Sequence, residues 1–145
     1  MGHLEASASV RWTGWEGTIT GRSGTLNAPT ATQAELGGPG TGTNPEELLA
    51  AAHANCFTST LTSLGRARGV ALEEVTTQAK TRLEWDDDAH DHHLAGTELS
   101  LTIRSSSAED EVRALVRETE ERCPVCKAIS GNVPMAVSLQ VERTA

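Results

Sequence analysis

The alternation of apolar and polar positions separates the chain into strand-like and helix-like stretches. From Val75 to Trp85, the residues Val75, Thr77, Ala79, Thr81, Leu83 and Trp85 share one face, while Thr76, Gln78, Lys80, Arg82 and Glu84 share the other. That period of two predicts a half-exposed strand. Alternation resumes from Leu94 to Arg104 through Leu99, Leu101 and Ile103, after a polar turn at 86–93, so the two runs predict an antiparallel hairpin. Met135, Val137, Leu139 and Val141 alternate as a last strand. Near the start, Val10–Thr20 combines Trp12, Trp15 and β-branched residues with Gly14 and Gly17 and runs into Gly21-Arg22-Ser23-Gly24, which predicts hairpin strands joined by tight turns.

Between these stretches the period lengthens. Asn44-Pro45-Glu46-Glu47 predicts a helix start: Asn accepts from an early backbone N–H, Pro suits the first helical position, and Glu47 stands where a capping box places its carboxylate. The helix should run to about Gly69. Leu49, Ala52, Cys56, Thr60 and Leu64 follow one stripe, and Leu48, Ala51, Ala54, Phe57 and Leu61 make other sides apolar, which predicts burial round most of its circumference. Ser107 followed by Asp110 suggests a second start, with Val112, Leu115, Val116 and Thr119 on the inner face of an amphipathic helix reaching about Glu121. Cys123-Pro124 breaks that helix and opens a short helical segment ended by Gly131. The Gly-, Pro- and Thr-rich stretch 28–43 predicts a short strand at most, then a loop. The order of elements predicts an α+β fold rather than a parallel βαβ sheet.

Composition narrows the partners. A chain of 145 residues suits a single domain spanning 1–145. With 37% hydrophobic and 3% aromatic residues the core is modest, so pairing of two copies into a homodimer is a natural supplement. A net charge of −8 opposes attraction to nucleic acid or an anionic membrane. Met1–Val10 lacks the apolar core of a secretory signal, and no run of apolar residues is long enough to span a bilayer, so a soluble, cytoplasmic protein is expected. Three cysteines, an odd number, argue against a structural disulfide framework in a reducing compartment. Catalysis, metal binding and plain burial remain.

Cys56 falls about three turns into the central helix, beyond reach of the helix dipole and among apolar residues. Burial raises a thiol's pKa unless a cation compensates, so Cys56 is either an inert core residue or a thiolate with a dedicated positive neighbour. Cys123, before Pro124, suits the cap of a new helical turn, either as a simple cap or as a competent partner in disulfide exchange. Cys126 completes Cys-Pro-Val-Cys, a spacing shared with thioredoxin-like dithiols and with half of a zinc site.

Two blocks carry a family pattern. Gly42-Thr43-Asn44-Pro45-Glu46-Glu47-Leu48-Leu49-Ala50-Ala51-Ala52-His53-Ala54-Asn55-Cys56-Phe57, together with Cys123-Pro124-Val125 and Gly131-Asn132-Val133-Pro134, closely resembles the OsmC/Ohr family. The resemblance covers essentially the whole chain. It implies antiparallel sheets packed around a long buried central helix in an intertwined homodimer. It also implies a thiol-dependent peroxidase that reduces organic hydroperoxides, with hydrogen peroxide as a second candidate substrate, a lipoylated protein as dithiol reductant and neither metal nor other cofactor. By the same resemblance Cys56 attacks the peroxide, Cys123 resolves it as a Cys56–Cys123 disulfide, Glu46 is the family's helix-start glutamate, and Arg22 in Gly21-Arg22-Ser23-Gly24 is the activating arginine. A guanidinium held by Glu46 would be the cation that a mid-helix thiol needs.

Cys126 departs from the pattern, since the family commonly has Ser there. It is either a small buried replacement or an additional redox partner. His53 is either a packed histidine or a base near Cys56. His90, His92 and His93 beside Asp86, Asp87, Asp88 and Asp91 read as a solvated hairpin tip, with metal binding as the alternative. Two rival functions follow: a zinc-binding module built from Cys123, Cys126 and histidines, and a peroxide sensor without turnover.

Overall fold

The structure is a computed structural model that describes residues 1–86 and 91–145. The chain divides into two compact units, Met1–Leu48 and Leu49–Ala145. In the first, β1 (Ala8–Thr13), β2 (Glu16–Gly21) and β3 (Asn27–Ala31) form an antiparallel meander in the order β1-β2-β3. The β1–β2 turn needs a residue in the left-handed region, supplied by Gly14 at φ 67°, whose carbonyl accepts from the Trp12 indole N–H at 2.7 Å. Ile19, Thr30 and Ala31 are buried, whereas β1 is exposed along its length. Beyond β3 the predicted loop holds a single 3-10 turn, Ala34–Leu36.

α1 (Pro45–Arg68) starts where the sequence places it. The Asn44 side chain accepts from the Glu47 N–H at 2.8 Å, satisfying one of the orphan donors of the first turn. Glu47 does not return the bond to Asn44; its carboxylate accepts from the Thr43 hydroxyl at 3.1 Å instead. Asn44→Ala should therefore cost about 1 kcal/mol in urea unfolding, with Asn44→Asp recovering most of it. At the other end Gly69 adopts φ 68° and the Val70 N–H returns to the Gly65 carbonyl at 3.0 Å, a glycine-terminated helix end.

The second unit carries the core. β4 (Glu74–Trp85), β5 (His92–Ser105) and β6 (Met135–Arg143) form a sheet in the order β4-β5-β6, with α2 (Glu109–Arg122) and α3 (Pro124–Ile129) between β5 and β6. Leu99, Leu101 and Ile103 of β5 pack with Phe57 and Leu61 of α1 and with Val112, Leu115 and Val116 of α2. Each such side chain fully removed from water contributes roughly 1.5–3 kcal/mol before the entropy of ordering is charged against it.

Three details depart from the sequence reading. β5 and β6 pair in parallel, not antiparallel, because two helices rather than a tight turn join them and return the chain in the same direction. α1 is buried along the stripe His53, Phe57, Leu61 and Gly65, while Ala51, Ala52, Asn55 and Ser59 are exposed in the single chain, so its circumference is less covered than its composition suggests. α2 is capped at Ala108, whose N–H donates to the Glu111 carboxylate at 3.1 Å. Ser107 accepts instead from the Ala71 N–H at 2.8 Å, tying the turn before α2 to the one before β4.

Candidate active site

Three thiols converge in the second unit. Pro124 cannot continue α2, so Cys123 leaves the helical region at φ −61°, ψ 118° and serves both helices at once. Its N–H closes α2 on the Thr119 carbonyl at 2.8 Å, and its Sγ accepts the Cys126 N–H at 3.4 Å as the cap of α3. Cys123 and Cys126 are both fully buried, whereas Cys56 on α1 is half-buried. Cys56 packs against the core cluster that holds Cys123 and Cys126.

The electrostatics keep protons on two of the sulfurs. Burial pushes the Cys56 thiol up; the Val125 N–H draws it back, and the Cys123 side chain raises it again. Cys126 is pushed up to about 12, first by burial and then by Cys123, with Cys56 and Glu120 adding to the effect. Glu120 is itself held above the ordinary carboxylate range by burial. The groups that favour a Cys56 thiolate, an N–H and a hydroxyl, are uncharged.

Of the two alternatives the sequence leaves for His53, the structure shows the packed histidine. It is fully buried, and it meets Cys126 rather than Cys56: Nε2 lies 3.3 Å from the Cys126 Sγ and Nδ1 lies 3.2 Å from the Thr97 Oγ1. Burial lowers its pKa and keeps the ring neutral. The signal was available in the four-residue spacing of His53, Phe57 and Leu61, which places the imidazole on the core stripe of α1, one position round from Cys56.

Arg22 and Glu46 belong to the first unit. Arg22 is exposed in the turn after β2, where its N–H bonds the Ser7 carbonyl at 2.9 Å. Glu46, in the first turn of α1, accepts from the Gln33 side-chain amide, and no ion pair joins it to Arg22. His92 and His93 are not in a turn but open β5, opposite Trp85 and Glu84, with His93 Nε2 3.9 Å from the Glu84 carboxylate. His90, Asp87 and Asp88 lie outside the described residues. Among the described residues no three His, Cys, Asp or Glu side chains are grouped to hold a metal ion. No helix among them is long and apolar enough to cross a membrane.

A half-buried cysteine of α1 and two buried cysteines of the α2–α3 junction thus share one core cluster on an α+β scaffold. The family model described as OsmC-like protein matches residues 38–138, and the chain belongs to that family. It is 35% identical over 97 residues to the organic hydroperoxide resistance protein OhrA of Bacillus subtilis, covering 67% of each chain. A crystal structure of an organic hydroperoxide resistance protein OsmC from Legionella pneumophila superposes with a TM-score of 0.84 at 31% identity, over 97% of this chain and 99% of that one. That of OhrB from Bacillus subtilis gives 0.76 at 26% identity, over 94% and 98%.

Proposed function

We propose that this protein is a cysteine peroxidase that reduces organic hydroperoxides, with Cys56 as the attacking sulfur and Cys123 as the resolving one. The observation that carries the reading is that a half-buried cysteine of α1 packs against the core cluster that holds the buried cysteines of the α2–α3 junction, although they lie far apart in sequence. The names of its relatives, organic hydroperoxide resistance proteins, support the substrate class. In the reaction the Cys56 thiolate attacks one peroxide oxygen, the O–O bond breaks, and an alcohol leaves after protonation, with a sulfenic acid left on Cys56. The Cys123 sulfur then displaces water to form the disulfide, and a dithiol, in our reading a lipoylated protein, returns both thiols at the cost of its own oxidation. The test is steady-state consumption of cumene hydroperoxide and hydrogen peroxide with dihydrolipoamide or a thioredoxin system as electron source. Failure to turn over with any pair would sink the proposal.

Two further assignments belong to the same reading. The working unit is a homodimer, for which the exposed Val10, Trp12, Trp15 and Leu26 of the first unit offer apolar surface to a second copy. Arg22 is the cation that offsets burial of Cys56, a role that the resemblance suggests. For Arg22→Ala the rate of Cys56 oxidation should shift to higher pH by about one unit or more and fall roughly tenfold at neutral pH, because the thiolate loses its positive neighbour. Stopped-flow oxidation across pH reads this out. An unchanged profile would assign the role to another arginine.

A further inference from the structure

The imidazole of His53 joins three elements of the second unit. Its Nδ1 lies 3.2 Å from Thr97 Oγ1 on β5, and its Nε2 lies 3.3 Å from Cys126 Sγ on α3, while the residue itself belongs to α1. His53 and Cys126 are 0% exposed and Thr97 is 2% exposed, so the ring is sealed from water. A neutral imidazole suits this place, because one nitrogen donates, the other accepts, and a hydroxyl and a thiol can each take either role. An imidazolium does not, because its charge would be buried against two uncharged groups. The titratable groups near the ring supply no opposite charge. Cys126 is pushed up to about 12 and keeps its proton, and burial raises the Cys56 thiol further along α1 as well. Glu120 on α2 acts on Cys126 and is itself raised by burial, and among the described residues the ring nitrogens bond only Thr97 and Cys126. Beyond Thr97 the neighbouring strand presents Thr81, its register partner, which carries no charge.

We propose that His53 is an acid-sensitive pin between α1, β5 and α3: on acidification the ring nitrogen that had accepted takes a proton from solvent, and states in which α1 has parted from β5 and α3 gain population. A ring that has opened into water takes its proton below about pH 6.5, the ordinary histidine value, whereas burial moves the enclosed ring to lower pH. The pin is therefore at full strength above about pH 6.5 and weakens as the pH falls below it. The opening constant rises by up to about tenfold per pH unit until the enclosed ring itself titrates. Carboxylates act in a different window. Glu73 and Glu118, held below the ordinary carboxylate range by hydrogen bonds from Ser106 and Arg68, lose their contributions only in stronger acid.

Hydrogen exchange read by mass spectrometry at about pH 7.5 and about pH 5, corrected for the intrinsic exchange rate at each pH, gives opening constants peptide by peptide. Peptides spanning α1 around His53 and spanning α3 should show a rise of about tenfold or more in acid. The rise should be absent in His53→Gln, whose amide reaches the same neighbours and does not titrate in this range. A flat wild-type constant, or an equal rise in His53→Gln, would overturn the proposal. Nuclear magnetic resonance of the wild-type imidazoles keeps the test decisive if the glutamine variant does not fold. The ring C–H signals of His53 should hold their neutral shifts in the folded protein to well below the ordinary histidine value, and a His53 signal that titrates near about pH 6.5 with the fold intact would overturn the proposal equally. Neither readout involves peroxide or an oxidised thiol, so the pin and the peroxidase reading stand or fall separately.

Discussion

Cys56→Ser is expected to reduce hydroperoxide consumption to the uncatalysed background while leaving the circular dichroism spectrum and the melting temperature close to wild type. Serine cannot pass through the sulfenic ladder, so every electron that reaches the peroxide through Cys56 is lost. The fold should survive because Cys56 is half-buried and serine is nearly isosteric with it. Removing a partly exposed thiol forfeits little apolar burial compared with truncating Phe57 or Leu61 beside it. A variant that turned over at the normal rate would move the chemistry to Cys123 or Cys126. Those sulfurs are sealed from solvent, which makes that outcome hard to reconcile with bulky substrates.

The elements most legible in the sequence are those whose period is set by one buried face. Val112, Leu115, Val116 and Thr119 of α2 are the buried residues of that helix, as their spacing predicts, because a single stripe faces the sheet. β4 alternates as predicted from Val75 to Leu83 for the same reason, with its outer residues in water, whereas Trp85, expected on the inner face, is exposed. α1 was harder to read. Alanine fits either environment, and a helix rich in alanine looks apolar all round whether or not it is covered. The parallel pairing of β6 could not come from periodicity at all, since alternation fixes faces and not strand direction.

The site was legible in part for a different reason. Proline after Cys123 marks a helix junction from the sequence alone, and the junction puts the Cys123 sulfur where backbone N–H groups are free to meet it. What the local sequence does not carry is which of three thiols meet, because Cys56 and the Cys123–Cys126 pair come together only through packing of α1 against the α2–α3 segment. The pairing of His53 with Cys126, 73 positions apart, is tertiary in the same sense. On a helix residues three apart lie on adjacent stripes, and the imidazole follows Phe57 and Leu61 into the core, the packed alternative of the two the sequence offers.

Cys123→Ser is expected to separate oxidation from recovery. Its hydroxyl oxygen can still accept the Cys126 N–H and cap α3, so the junction between α2 and α3 should hold. Peroxide should still reach Cys56, whose sulfenic acid then finds no thiol across the gap. Under excess peroxide, intact mass should show Cys56 carrying first one and then two added oxygens, and activity should decay within a few turnovers instead of persisting. Cys126→Ser should behave differently and bridge Cys56 to Cys123 as the wild type does, because a thiol pushed up to about 12 is a poor nucleophile toward a sulfenic acid at neutral pH. In peroxide-treated, alkylated wild type, mapping should recover the Cys56–Cys123 peptide pair with Cys126 carrying the alkyl label. A predominant bridge to Cys126, or a Cys123→Ser variant that resists over-oxidation, would mean that Cys126 is the thiol that resolves Cys56 and that Cys-Pro-Val-Cys has taken over the route to the reductant.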